Sequence, residues 1–323
     1  MSELWTVRRA LEWTCGYLER KGDEHPRLSA EWLLCAATGF SRVELYMNYD
    51  RPLDADELSM LHDGVVRRGK GEPLQYVTGE MPFRHIVLRC APGVLIPRPE
   101  TEVLVDCVLA YLDGLPEQGS DASPRHVLEV GVGTGCISLS VAGERPGVEV
   151  VATDVSPEAV ALACRNRDAL DLDGHVDVRL ADLTDGVPGA DEGAFDVLVS
   201  NPPYIPSELV ELLPAEVGGY EPRLALDGGP DGLDVFRRLT ERAARALRPG
   251  GLYACELHED CLEVAAAEPA VTQAFCNVCI VRDLAGRNRI LMAQRRPAGG
   301  QPAPANEAPA VLDATAVTGF LFA

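Results

Sequence analysis

The sequence has no apolar run approaching the roughly 18 uninterrupted residues of a membrane span. Its first residues, Met1-Ser2-Glu3-Leu4-Trp5, lack the basic stretch followed by an apolar one that marks a secretory leader, so a cytoplasmic protein is expected. Positive charge is scarce: 29 Lys and Arg stand against 50 Asp and Glu, a formal net charge of −21. Neutralisation of phosphates by Lys and Arg supplies most non-specific nucleic-acid affinity. The balance therefore argues against a nucleic-acid partner unless one basic face survives the average. A disulfide framework is missing too. The ten cysteines are scattered through a long chain, which points to reduced thiols. The one C-x-x-C, Cys276 and Cys279, falls in an expected strand, where side chains three apart point to opposite faces. With no second pair to complete a zinc site, core packing and no metal are expected. There is no internal repeat.

What is present is a chain of 323 residues with 46% hydrophobic content, enough for one α/β domain and a smaller companion. Residues 3 to 70 read as short helices: Leu4, Val7, Leu11 and Leu18 share a helical period, and Leu28, Trp32, Leu33 and Ala36 repeat it. Lys70-Gly71-Glu72-Pro73 breaks this region. An apolar run at Ile86-Val87-Leu88 and a turn at Pro92-Gly93 predict a connecting hairpin. Glu100 to Leu112 reads as a helix, and Asp113 to Pro124 as a loop. From Arg125 strands and helices alternate: strands at His126–Val130, Glu149–Thr153, Val176–Leu180, Phe195–Ser200 and Leu252–Glu256, helices at Cys136–Ala142, Pro157–Leu170 and Leu233–Leu247. Such alternation predicts an α/β fold with a doubly wound, mostly parallel sheet. Cys276–Arg282 and Arg289–Ala293 predict a terminal antiparallel hairpin at the sheet edge. Beyond Arg295 the chain is rich in Pro, Ala and Gly, which predicts a mobile tail whose last apolar stretch, Val317 to Phe322, is the part able to dock.

Glu129-Val130-Gly131-Val132-Gly133-Thr134-Gly135 follows one expected strand and opens a helix, the place where glycines permit a tight turn and close approach to a ligand. Asp154 ends the next strand, placed to accept from both hydroxyls of a ribose. The spacing is G-x-G-x-G, with the third glycine displaced from its dinucleotide-fold position, which favours S-adenosyl-L-methionine over NAD. Glu129 is either a holder of the cofactor's amino group or a brace for the loop. Asp182, closing the third strand, either reads the adenine edge or is a solvated strand-end carboxylate.

Ser200-Asn201-Pro202-Pro203-Tyr204 ends the strand begun at Phe195, at the carboxyl ends of the strands where open α/β folds bind ligands. An amide nitrogen is a poor nucleophile because its lone pair is delocalised. Two acceptors aimed at its N–H bonds would orient it: the Asn201 side-chain oxygen and a backbone carbonyl such as that of Pro202. The prolines fix φ and offer no competing donor. Tyr204 can stack on the planar group and hold the nitrogen at a near-attack separation of about 3–3.5 Å. No strong base is needed, since the proton becomes acidic only as the methyl transfers, and no histidine is assigned to the chemistry.

With Asn201 to Tyr204, several further segments resemble the release factor glutamine methyltransferase family over roughly residues 60 to 295: Gly71-Glu72-Pro73-Leu74-Gln75-Tyr76-Val77-Thr78-Gly79, Leu95-Ile96-Pro97-Arg98-Pro99-Glu100-Thr101-Glu102, Tyr220-Glu221-Pro222, Ala225-Leu226-Asp227-Gly228-Gly229 and Asp283-Leu284-Ala285-Gly286-Arg287. The Pro97 to Glu102 segment separates this family from similar enzymes acting on a ribosomal-protein glutamine or on adenine. The resemblance implies a seven-stranded methyltransferase sheet, S-adenosyl-L-methionine as methyl donor, and peptide chain release factors as partners, methylated on the glutamine of a Gly-Gly-Gln loop. It implies a helical substrate-binding domain (1–72), a connecting hairpin and helix (73–116), the methyltransferase domain (117–295) and a tail (296–323). Cofactor contacts would come from Glu129, Gly131, Val132, Gly133, Thr134, Gly135, Asp154, Asp182, Leu183 and Asn201; substrate contacts from Asn201, Pro202, Pro203 and Tyr204, with Asn201, Pro202 and Tyr204 catalytic. Leu183 replaces an aromatic residue frequent in relatives, and His258 and Cys261 replace an expected Gly and Gln outside the proposed chemistry.

Rival readings are an adenine N6-methyltransferase, which should carry a basic target-recognition region, a ribosomal-protein glutamine methyltransferase, a dinucleotide oxidoreductase, which needs the other glycine spacing, and a non-catalytic binder, which has no evident need for Asn201 and Tyr204 together.

Overall fold

A computed structural model describes residues 4–116, 124–297 and 309–322. The chain divides into two compact units: one running through Glu80 and taking in Cys90–Pro92 and Pro214–Tyr220, the other formed by Met81–Arg89, Gly93–Leu213 and Glu221 onward.

The first unit is built on helices α1 (Val7–Arg20), α2 (Pro26–Thr38), α3 (Arg42–Met47), α4 (Ala55–Arg68) and α5 (Leu74–Thr78). Their starts are set locally. Ser41 with Glu44, and Asp54 with Glu57, form reciprocal capping boxes at α3 and α4, each satisfying amide donors that the first helical turn leaves unpaired. Val7, Leu11 and Leu18 of α1 meet Leu33 and Leu34 of α2 and Leu61 and Val65 of α4 in one core. Leu4, placed in the first helical stripe by its spacing, precedes α1 and is exposed. This unit extends past residue 72 because Leu74 and Val77 of α5 pack on its core.

The second unit holds most of the hairpin β1 (Glu80–Phe83) and β2 (Ile86–Arg89), followed by α6 (Pro99–Gly114). Then come β3 (Arg125–Val130), α7 (Cys136–Glu144), β4 (Val148–Asp154), α8 (Pro157–Ala169), β5 (Val176–Leu180) and β6 (Phe195–Ser200). After the single turns α9 (Ser207–Val210) and α10 (Ala215–Gly218, which belongs to the first unit) the chain forms α11 (Asp234–Ala246), β7 (Leu247–Glu256), α12 (Leu262–Ala267), α13 (Pro269–Ala274), β8 (Phe275–Arg282), β9 (Asn288–Arg295), β10 (Ala310–Asp313) and α14 (Val317–Leu321).

Among the described residues the sheet has eight strands in the order β10-β8-β9-β7-β6-β3-β4-β5, with β9 antiparallel to both neighbours and every other pairing parallel. Side chains alternate between two cores. Val127, Val197 and Val199 face one side with α6 and α7, while Leu128, Phe195 and Leu198 face the other with α11 and α12. The chain crosses from one half of the sheet to the other between β3 and β6, so their carboxyl ends open the crevice in which such folds bind ligands.

Three expectations are corrected here. The sheet has eight strands where seven were implied, because β10 pairs in parallel with β8 through Ala310 and Cys279 to Asp313 and Arg282. The β8–β9 hairpin is therefore not the sheet edge. Nor is the whole region after Arg295 a mobile tail: Val317 and Leu321 are buried against α6, and the Phe322 ring stacks on Tyr111 at 5.5 Å. Residues 298–308 lie outside the described residues, as do 117–123 of the expected loop before β3. Cys279 is buried in the sheet core, while Cys276 is half-buried beside Gln294, and the register slips between them at Asn277, whose φ is 49°.

Candidate active site

Parallel register assembles the site. Val130 of β3 pairs with Thr153 of β4 and with Ser200 of β6, and Ser200 pairs with Cys255 of β7. The residues that follow on each strand, Gly131, Asp154, Asn201 and Glu256, therefore emerge side by side along one rim. The loop after β3 is pinned by its own backbone: Gly131 and Val132 N–H both donate to Thr153 O, at 2.8 and 2.9 Å. Gly135 has φ 87°, and a Cβ there would come within 2.8 Å of Leu139. Only glycine takes that conformation cheaply, and it is what lets α7 start directly after the turn. Thr134, buried, accepts from Asn166 Nδ2 through its carbonyl at 2.8 Å.

Glu129 is 1% exposed at the end of β3. Its Oε2 accepts from the backbone N–H of Ser138 at 3.0 Å and from the Ser138 hydroxyl, while Oε1 is buried with no hydrogen-bond partner among the described residues. Burial pushes this carboxyl up to about 8, Ser138 opposing and the Asp154 charge assisting. Asp154 accepts from Gly133 N–H at 3.0 Å and Ser156 N–H at 2.9 Å, and burial raises its pKa against those donors. An orphan buried carboxylate oxygen costs free energy unless a donor arrives. This rim is thus suited to a ligand with a cationic amino group near Glu129 and donor hydroxyls near Asp154.

Leu183 is buried with φ 53°, held there by the Thr153 hydroxyl, which donates to its carbonyl at 2.7 Å. Asp182 is exposed, and its carboxylate pairs with Arg238 at 2.7 Å. Arg238 belongs to α11.

The Asn201 to Tyr204 loop is buttressed from behind. Ile205 N–H donates to Leu226 O and Gly228 N–H to Ile205 O, each at 2.9 Å. A Cβ on Gly228 would fall 2.8 Å from the Pro203 carbonyl oxygen, and one on Gly232 would fall 2.3 Å from that of Tyr204. The glycines of this segment thus let a second stretch of backbone lie flat on the loop. Asp227 locks the assembly by accepting from Ser207 Oγ at 2.6 Å and Gly229 N–H at 3.0 Å. Pro202 is buried and Pro203 half-buried. Tyr204 is half-buried, with its hydroxyl pKa raised by burial and by Glu256, and lowered by Arg289 and Arg98.

Asn201 Nδ2 donates to Thr101 Oγ1 at 3.2 Å, and Thr101 Oγ1 donates to Glu256 Oε2 at 2.7 Å. Nothing in the local sequence around Asn201 announces either partner. The only available signal is that Thr101 lies inside the Pro97 to Glu102 segment and Glu256 ends a strand. From the same segment, Arg98 clasps both oxygens of buried Glu221 at 2.7 and 2.8 Å. His258, set aside in the sequence as outside the chemistry, has its ring 6.4 Å from that of Tyr204. Cys261 is buried beside α12, its thiol directed at the Asp231 carbonyl.

Residues 9–79 match the PrmC N-terminal domain model and residues 109–212 the methyltransferase small domain model. The chain is 42% identical over 289 residues to a release factor glutamine methyltransferase of Geobacter sulfurreducens, covering 90% of this chain and 96% of that one. It is 38% identical to the protein of that name from Caulobacter vibrioides, covering 90% and 98%. Among solved structures, the hMettl16 catalytic domain in complex with MAT2A 3′UTR hairpin 1 aligns with TM-score 0.52 at 15% identity, over 81% of this chain and 87% of that one, a likeness of fold alone. A methyltransferase sheet, an Asn-Pro-Pro-Tyr loop braced beside a glycine turn, and this degree of identity over nearly the full length of its relatives place the chain in the release factor glutamine methyltransferase family.

Proposed function

We propose that this protein methylates the side-chain amide nitrogen of the glutamine in the Gly-Gly-Gln loop of a peptide chain release factor, with S-adenosyl-L-methionine as the methyl donor. The observation that carries the reading is the in-register juxtaposition of Asn201 with the Gly131 loop, beside the orphan Glu129 oxygen whose carboxyl feels the Asp154 charge. The release factor as acceptor rests on the similarity to the named relatives.

In this reading Glu129 Oε1 takes the amino group of the cofactor, Asp154 the ribose hydroxyls, and the backbone of Gly131, Val132, Gly133, Thr134 and Gly135 lines the space between them. The backbone at Asp182 and the side chain of Leu183 meet the adenine. When bound, the cofactor supplies an electrophilic methyl group. The protein's own task is to present the acceptor amide: Asn201 Oδ1 and the Pro202 carbonyl accept its two N–H bonds, which favours a pyramidal nitrogen with an available lone pair, while Tyr204 and Pro203 confine its plane. The neutral phenol of Tyr204 is not asked to move a proton. The helical domain through Glu80 is assigned to gripping the release factor. The reading places the protein in translation termination and in the cytoplasm; among the described residues no helix is long and apolar enough to cross a membrane.

The test is transfer of a labelled methyl group to a purified release factor, with a Gln→Asn change in its Gly-Gly-Gln loop and the Asn201→Ala enzyme as controls. Label on the wild-type pair alone is expected. Label on a ribosomal protein or a nucleic acid in place of the release factor would overturn the substrate assignment and leave the methyltransferase fold standing.

A further inference from the structure

We infer that Thr101 and Glu256 are positioning residues that decide which end of the Asn201 amide faces the acceptor. The inference rests on the reading above, in which Asn201 must present its oxygen. A threonine hydroxyl has one proton to give and lone pairs to accept with. Here the proton is directed to Glu256 Oε2 at 2.7 Å, so the oxygen can only accept from Asn201, and it does so from Nδ2 at 3.2 Å. The three groups form a chain with one polarity, amide N–H to hydroxyl and hydroxyl to carboxylate, and the Asn201 amide also acts on the Glu256 carboxylate directly as a donor, which favours the same orientation. That polarity turns Asn201 Oδ1 away from Thr101 and leaves it as the acceptor at the end of β6.

The polarity depends on the carboxylate being charged. A protonated Glu256 can donate to Thr101 Oγ1, which frees the threonine proton for Asn201 Oδ1. The amide then flips and presents two N–H donors to an acceptor amide that itself offers N–H. Two donors face one another, and the pyramidalised geometry loses its support.

Glu256 is buried, at 1% exposure. The groups facing it are Glu100 of α6, Arg289 of β9, Tyr204 of the loop, Cys136 of α7 and its strand neighbour Cys255. Burial raises its carboxyl, Thr101 lowers it, Glu100 raises it, and Arg289 and Asn201 lower it, bringing it to about 7. Glu256 is therefore placed to switch within the physiological range, and the Thr101 hydroxyl transmits the change to Asn201.

The measurement is kcat against pH for release-factor methylation at saturating cofactor, for wild type, Thr101→Val, Thr101→Ser and Glu256→Gln, with cofactor affinity and melting temperature of each as checks of folding. Wild-type kcat is expected to rise through an acid limb centred at about 7. Thr101→Val should lower kcat about 10- to 100-fold with little change in cofactor affinity, and Thr101→Ser should recover most of the loss. Glu256→Gln, which cannot titrate, should flatten the limb. A Thr101→Val enzyme with wild-type kcat, a serine variant as impaired as the valine one, or an acid limb that survives Glu256→Gln overturns the inference while the methyl-transfer reading stands. A wild type that leaves release factors unlabelled overturns both.

Discussion

Glu129 divides its work between two oxygens. Oε2 accepts twice from Ser138 and so fixes the start of α7, while Oε1 is buried and has no partner among the described residues. The loop brace and the amino-group holder, which the sequence left as alternatives, are compatible because a carboxylate has four lone-pair sites. Burial disfavours the charge of this carboxyl and pushes it up to about 8, yet an ammonium ligand needs the carboxylate. Cofactor binding should therefore release a proton, and affinity should climb with pH between about pH 5.5 and 7.5, a range in which an α-amino group stays protonated. Calorimetry in buffers of different ionisation enthalpy checks this, and Glu129→Gln should bind more weakly and with a flat pH dependence. Proton uptake, or no pH dependence in the wild type, would remove Glu129 from the amino-group role.

At the scale of elements, β10 and α14 change what the end of the chain does. An edge strand exposes a row of unpaired backbone groups and invites association with another chain. Here β10 covers the outer side of β8, and α14 lays Val317 and Leu321 on α6 while Phe322 closes over Tyr111 next to Gly114. Fully burying two aliphatic side chains stabilises by about 3–6 kcal/mol as an upper bound. A chain ending at Pro297 should therefore melt several degrees lower and self-associate through β8, read by thermal melts and light scattering. An unchanged melting temperature in a monomeric truncation would show that the terminal segment contributes nothing. Its composition hid this role: the Pro- and Ala-rich stretch that precedes it carries no periodicity, and four residues of strand are too few to alternate convincingly.

For the whole molecule, carboxyls raised by burial and carboxyls held by arginines pull stability in opposite directions with pH. Arg51 beside Glu57 and Arg84 beside Glu144 hold those carboxyls below their ordinary value. Their contribution is present above the unfolded pKa and is lost as pH falls through the folded one. Glu129 and Glu256 behave oppositely. Raised to about 8 and about 7 from 4.5, they keep a proton in the folded state that the unfolded chain has released, so stability falls as pH rises through that window. Without cofactor, the melting temperature should be lower at about pH 8 than at about pH 5.5, and the Glu129→Gln, Glu256→Gln double variant should remove much of the difference. A wild-type melting temperature that is flat or rises over that interval would contradict both buried assignments. The sequence by itself determined the alternation of strands and helices, the glycine turn after β3 and the Asn-Pro-Pro-Tyr loop after β6, because periodicity and turn chemistry are written in neighbouring residues. Tertiary structure alone decided that Asp182 pairs with Arg238, that an eighth strand closes the sheet, and that Asn201 reaches Thr101, 100 residues away, and through it Glu256, a further 155 residues along from Thr101. Those contacts follow from strand order and parallel register, which bring together side chains whose separation along the chain gives no local signal.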